Sequence, residues 1–300
     1  MNGRIRGLAW VVGFAGLMLG AVAVEGQTAS WKASIDSALG RTGTLQPDSS
    51  YKFGLPRSDL AVTVGTVKLR PALALGSWLA FLPVSRGESI VMGDLVLTEG
   101  EIAAVMRALQ AGGVEQTALH NHLRAETPHV MYMHIMARGN PVTIARTIQT
   151  ALAETGTPAP STPAVAASID LDTAGVARAL GRGGKVNGGV YQVTVPRAEI
   201  IRDGGVIIPP SMGVATAINI QPTGGGRAVA TGDFVLRSAE VNPVIRALRS
   251  HGIEVTALHS HMLDESPRLF FMHFWGDDDA LAIARGLRSA LDITNSQRAK

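Results

Sequence analysis

Apolar residues recur at helical spacing at Ile35, Ala38 and Leu39, and again at Val176, Ala177 and Leu180, which predicts a short opening helix at two places in the chain. Extended runs follow each of them. They cover Leu60–Val67 and Ser77–Val84 after the first helix, and Val190–Val195 and Ala215–Ile220 after the second. Gly-Asp at 93–94 and at 232–233 introduces a further strand, Leu95–Leu97 or Phe234–Leu236. Thr98 with Glu101 three residues on is a capping-box pattern, predicting a helix over Glu99–Gln110 closed by Gly112-Gly113. At the second place Ser238 opens the equivalent helix, which runs to Ser250 and ends at Gly252. Two strands joined by a short turn come next, then a closing helix through Ile144-Ala145-Arg146 or Ile283-Ala284-Arg285. Strands and helices in this order, without regular βαβ alternation, predict an α+β fold: a mainly antiparallel sheet with flanking helices, formed twice.

The two series are one unit written twice. A shift of 139 residues aligns Val91–Leu152 with Ala230–Leu291 without a gap, and 25 of the 62 pairs are identical. Upstream the match persists at a slightly larger shift, with Tyr51 against Tyr191 and Pro56-Arg57 against Pro196-Arg197. Two tandem homologous domains are therefore expected, at residues 31–153 and 168–291. Between them residues 154–167, rich in Pro, Thr and Ala, read as a stiff exposed linker, and the polar tail after Asp292 reads as frayed.

Residues 1–26 have the three parts of a secretory signal peptide: Arg4 and Arg6, an apolar run from Leu8 to Val24, and small residues at Ala21-Val22-Ala23. Cleavage after Ala23 or near Gly26 predicts an exported protein, periplasmic or extracellular, with no membrane segment once the signal is removed. An uncleaved anchor is the rival reading, since the apolar run approaches the roughly 20 residues that span a bilayer.

Composition narrows the chemistry. Hydrophobic residues make up 46% of the 300-residue chain and charged ones 17%, enough for two cores and too little charge for a solvated coil. A net charge of +3 without clustering makes no case for nucleic acid. The absence of cysteine excludes disulfides, zinc ribbons, iron–sulfur clusters and thiol nucleophiles, so a bound metal must use His, carboxylate, carbonyl or water.

Six of the eight histidines fall at equivalent places in the repeat: His120, His122 and His134 in the first copy, His259, His261 and His273 in the second. Residues i and i+2 of a strand face the same way, about 6.6 Å apart, so His120 and His122 can aim both imidazoles at one point. His134 supplies a third ligand if the following turn folds the strands antiparallel. Glu126 sits at that turn, either as a fourth ligand or as a base on bound water. The same reading assigns His259, His261, Glu265 and His273 in the second copy. The predicted cofactor is a divalent transition metal (Zn, Mn, Fe or Cu) in each repeat, with Glu126 and Glu265 as the candidate catalytic groups. Met133 and Met272 read as core, Asp94 and Asp233 as turn or cap residues, and His129 and His251, unmatched between copies, are set aside.

The paired Thr-Ala-Leu-His-x-His segments at 117–122 and 256–261, with Glu, Pro and Met-His after them, resemble the LppY/LpqO family of exported bacterial proteins, a domain of unknown function. A weaker likeness is to cupins, whose His-x-His, Glu and later His bind metals. Three functional classes fit: a metal-dependent enzyme, a non-catalytic binder of metal or a small-molecule ligand, and an envelope protein whose histidines only stabilise the fold.

Overall fold

The computed structural model describes residues 31–85, 87–160 and 168–297. The predicted signal peptide and part of the predicted linker, residues 161–167, lie outside the described residues.

The first repeat opens with a helix over residues 31–39 (α1). Its sheet comprises β1 (Thr44–Leu45), β2 (Tyr51–Pro56), β3 (Gly76–Ser85), β4 (Glu88–Thr98), β5 (Glu115–His120) and β6 (Val130–Gly139), in the antiparallel order β1-β2-β3-β4-β6-β5. Helix α2 (Glu99–Ala111) follows β4 and α3 (Pro141–Leu152) follows β6. The second repeat repeats this plan with α4 (Thr173–Leu180), β7 (Lys185–Asn187), β8 (Val190–Pro196), β9 (Ala215–Gly224), β10 (Arg227–Leu236), α5 (Ser238–Ser250), β11 (Glu254–His259), β12 (Phe270–Asp279) and α6 (Ala280–Leu291). Its sheet order is β7-β8-β9-β10-β12-β11.

Local sequence explains the helix boundaries. The Glu101 carboxylate accepts from the Thr98 amide at 2.8 Å, as the capping pattern predicts, and Asn140 and Asp279 cap α3 and α6 with their side chains. In the second copy the cap is Arg237, one residue earlier than Ser238, because Glu240 accepts from the Arg237 amide. Glu101 and Glu240 also hold a buried arginine each. Arg57 binds Glu101, Asp59 and the Val96 carbonyl, and Arg197 binds Glu240, Glu199 and the Val235 carbonyl. Residues 292–297 are tied down rather than frayed: the Gln297 amide donates to the Pro196 carbonyl and the Ala198 amide to the Asn295 carbonyl.

Strand alternation separates two faces. Leu95, Leu97, Met133 and Ile135 pack with Val105, Leu109, Ile144 and Ile148 under the helices of the first repeat. Phe234, Leu236, Met272 and Phe274 do the same in the second. The opposite faces meet each other. Val96, Tyr132 and Leu123 of the first repeat cluster with Val190 and Val229 of the second, while Val235, Phe271 and Met262 of the second cluster with Ala80, Ile90 and Met92 of the first. Val96, Tyr132, Leu123 and Ile90 are the repeat counterparts of Val235, Phe271, Met262 and Val229, so the molecule has a pseudo-twofold axis and four layers: helices, sheet, sheet, helices.

An arm from each repeat crosses the boundary. In the first arm, the Gln221 side chain accepts from the Arg70 amide and donates to the Lys68 carbonyl, and Asn219 donates to the Leu73 carbonyl. In the other, Lys52 donates to the Ser211 carbonyl at 2.9 Å and the Ser211 amide donates to Asp48. Among the described residues no helix is long and apolar enough to cross a membrane.

Candidate metal centre

Four of the repeat-matched histidines lie on the sheet faces turned toward each other and His122 and His261 in the loops just past them, so all six converge between the repeats. The sequence predicts one centre inside each repeat. The structure brings both sets together because the face opposite the helices is covered by the other copy.

Strand register does the positioning. His134 on β6 lies opposite Asp94 on β4 and Ala118 on β5, and His120 lies opposite Tyr132. The second repeat places His273 opposite Asp233 and His259 opposite Phe271. Strand β5 ends at His120, so His122 stands just past it in the following loop. The imidazoles of His120 and His259 stack near the pseudo-twofold axis with centroids 3.7 Å apart. On either side, His122 lies 3.8 Å from His273 and His134 lies 3.7 Å from His261. Tyr132 and Phe271 close the ends by stacking on His122 and His261.

Three groups have ligand atoms within 4.8 Å of one another: His120, His122 and His273; His120, His134 and His259; and Asp233, His259 and His261. The first two draw ligands from both repeats. The His120 and His273 Nε2 atoms are 3.3 Å apart, the His122 Nε2 is 3.3 Å from Asp94, and the His261 Nε2 is 3.0 Å from Asp233. Two donors each about 2.1 Å from one ion lie about 3.0 to 3.4 Å apart at octahedral to tetrahedral angles, so these spacings fit shared coordination.

The outer contacts fix tautomers. Nδ1 of His134, His273 and His261 faces the carbonyls of Gly93, Gly232 and Gly213, at 3.3, 2.8 and 2.9 Å. A proton on Nδ1 leaves Nε2 as a lone pair directed inward, as metal-binding histidines require. In His261 that lone pair meets a carboxylate oxygen of Asp233, an arrangement that needs a cation or a shared proton between them.

Gly93 and Gly232 have a second reason to be glycine. A Cβ at Gly93 would lie 2.8 Å from the Trp78 carbonyl oxygen, and one at Gly232 would lie 2.0 Å from that of Ala217.

Burial first, and neighbouring imidazoles second, hold His120, His122 and His259 well below the usual histidine range. His134 is brought down to about 3, by burial and then His261. His261 is also at about 3, through burial, although Asp94 opposes the change. Asp233 is pushed up to about 7, chiefly by burial. These five rings are therefore neutral at neutral pH, the protonation state that binds metal. Buried atoms without a hydrogen-bond partner concentrate here: Asp94 Oδ1, His120 Nδ1, His122 Nε2, His134 Nε2, Asp233 Oδ1, both nitrogens of His259, and His261 Nε2. Folded proteins rarely leave so many buried polar atoms unpaired in one place.

The glutamates stand apart from these groups. Glu126 accepts from the Val130 amide at 3.4 Å and pairs with His129 at 2.6 Å, and Glu265 accepts from the Leu269 amide and from Arg268. Asp94 and Asp233, read from sequence as turn or cap residues, instead lie within long strands opposite His134 and His273. The signal was available in the identity of Gly-Asp in both copies. The sheet is open, with β1 and β5 at its edges, rather than a cupin-like barrel.

The family profile described as Domain of Unknown Function (DUF1259) matches residues 33–154 and 174–293. The chain belongs to that family. Its two DUF1259 copies are the two repeats, and the centre lies between them. No curated protein matches the chain. Among solved structures, the trimeric bacterial microcompartment shell protein PduB is 14% identical, with 82% of this chain and 87% of that chain covered, at a TM-score of 0.20. EtuB from Clostridium kluyveri is 11% identical, with 83% and 88% covered, also at 0.20. Likeness at that level carries nothing over to this DUF1259 chain.

Proposed function

We propose that this protein is a metal-binding protein whose centre is assembled between its two repeats from His120, His122, His134, His259, His261 and His273, with Asp94 and Asp233 beside them. The observation that carries this reading is the convergence of six imidazoles and two carboxylates, eight of whose buried polar atoms lack a partner. A nitrogen-rich donor set favours zinc, copper, iron or nickel over magnesium or calcium. Close enclosure by both sheets favours the binding class over turnover of a bulky substrate. Any small ligand would have to reach an ion between the sheets. A base role for Glu126 and Glu265 requires those carboxylates to leave the backbone amides they accept from.

Export is proposed on the basic start, apolar run and small residues of positions 1–26, and the LppY/LpqO resemblance supports the same destination. N-terminal sequencing of the mature protein tests it: an intact Met1 would refute cleavage.

Elemental analysis of untagged protein tests the metal reading. Near-stoichiometric transition metal is expected, with a melting temperature that falls on chelation. Metal-free protein that neither binds added Zn(II) or Cu(II) nor gains thermal stability from them would refute it.

A further inference from the structure

We propose that the centre holds two ions, one on each side of the pseudo-twofold axis, the first bound by His120, His122 and His273 and the second by His259, His261 and His134. This rests on the metal reading above and assigns its nuclearity.

Donor number argues for two. A zinc or copper ion with imidazole ligands takes about four donors, and eight converge here. A single ion would leave the remainder buried and unpaired, each at a desolvation cost.

The first set is itself one of the three close groups, and the second is its counterpart across the pseudo-twofold axis, built on the close group of Asp233, His259 and His261. His122 lies over His273, and His134 over His261, while His120 and His259 meet at the axis. His120 Nε2 is 3.3 Å from His273 Nε2, within one set, and each set has its own aspartate: Asp94 is 3.3 Å from His122, and Asp233 is 3.0 Å from His261. Each histidine is used once, which suits His134, His273 and His261, whose Nδ1 already faces a carbonyl. Each set takes two histidines from one repeat and the third from the other. Charge is divided evenly too, with one carboxylate beside each divalent ion.

The test is back-titration of the chelator-stripped, untagged full chain with Zn(II), read by native mass spectrometry and by elemental analysis after desalting. Two ions per chain are expected. One ion per chain overturns the two-ion assignment and leaves the metal reading standing, whereas none overturns both. His122→Ala and His261→Ala, checked for folding by circular dichroism, are each expected to retain one ion. Retention of two ions by either folded variant, or loss of both, overturns the division into these sets. Loading with Cu(II) supplies a readout on the wild-type chain alone. A dipole-coupled electron spin resonance spectrum at two equivalents is expected, and two magnetically isolated ions would count against neighbouring sites.

Discussion

The Thr117 hydroxyl donates to the main-chain carbonyl of His261 at 2.7 Å, across the boundary between the repeats, and Thr256 returns the bond to His122 at 2.6 Å. Each repeat thus fixes the backbone of the other's second histidine with the threonine that begins its own Thr-Ala-Leu-His-x-His segment. Thr117→Val removes the donor while keeping the shape and leaves a buried carbonyl unpaired, at a cost of about 1–3 kcal/mol. Thr256 is less buried, so Thr256→Val is expected to cost less. Urea unfolding of both variants checks the order, and equal, negligible losses would contradict it.

Asp94→Asn and Asp233→Asn keep the side-chain volume and remove a charge beside the imidazoles. Metal affinity is expected to fall about 10- to 100-fold in each, the range seen when a group supporting a metal site is removed. Competition titration with a chromophoric chelator measures it, and unchanged affinity in both variants would exclude the aspartates from the centre.

Glycine 232 has no room for a methyl group. Gly232→Ala would force the Cβ against the Ala217 carbonyl, so displacement of β9 and a loss of about 3 kcal/mol or more are expected. Gly54→Ala, where the added carbon meets nothing within 4 Å, serves as the control and is expected to leave the melting temperature nearly unchanged. A similar loss in both variants would sink the steric account.

Arg57 is buried and bound to two carboxylates and a carbonyl. Arg57→Met leaves Glu101 and Asp59 without their cation, and a loss of about 3–5 kcal/mol is expected. Glu101→Gln, which keeps much of the hydrogen bonding, is expected to cost less. Chemical denaturation of the two variants decides whether the charge network or the packing matters more.

Lys52 gives the stability a pH dependence. Burial pulls its pKa down to about 8, against the opposing pull of Asp48. Between pH 8 and 10.5 the unfolded chain keeps a proton that the folded chain has released, so stability rises with pH through that window. Below pH 8 both states are protonated and the full cost of burying the charge is present. Lys52→Met is expected to remove this rise, which is on the order of 3 kcal/mol. Unfolding free energies from pH 7 to 10.5 provide the check, and parallel profiles for wild type and variant would refute it.

The repeat, the antiparallel sheets and the six histidines were legible in the sequence because each depends on local spacing. What covers the histidine face was not, since alternation assigns a residue to a side of a sheet without naming its neighbour. One clue was present. From Ser89 to Leu97 nearly every position is apolar or small, the mark of a strand buried on both faces, and Asp94 is the exception. A carboxylate in such a strand needs a buried partner, which places it with the imidazoles rather than at a turn. The glutamates, in contrast, were read from motif spacing alone. Their carboxylates turn back to the amides four residues later.

The exchanged arms also bear on descent. A chain of one DUF1259 unit would expose the inner sheet face that the other copy covers here, and under the proposed assignment each ion would lack the histidine the other copy supplies, so such an ancestor would have been complete only as a homodimer. Joining two copies in one polypeptide fixed that pairing at a one-to-one ratio, independent of protein concentration. Fusion also freed the two halves to differ, and Tyr132 at one end of the centre where the other end has Phe271 is where that divergence touches it.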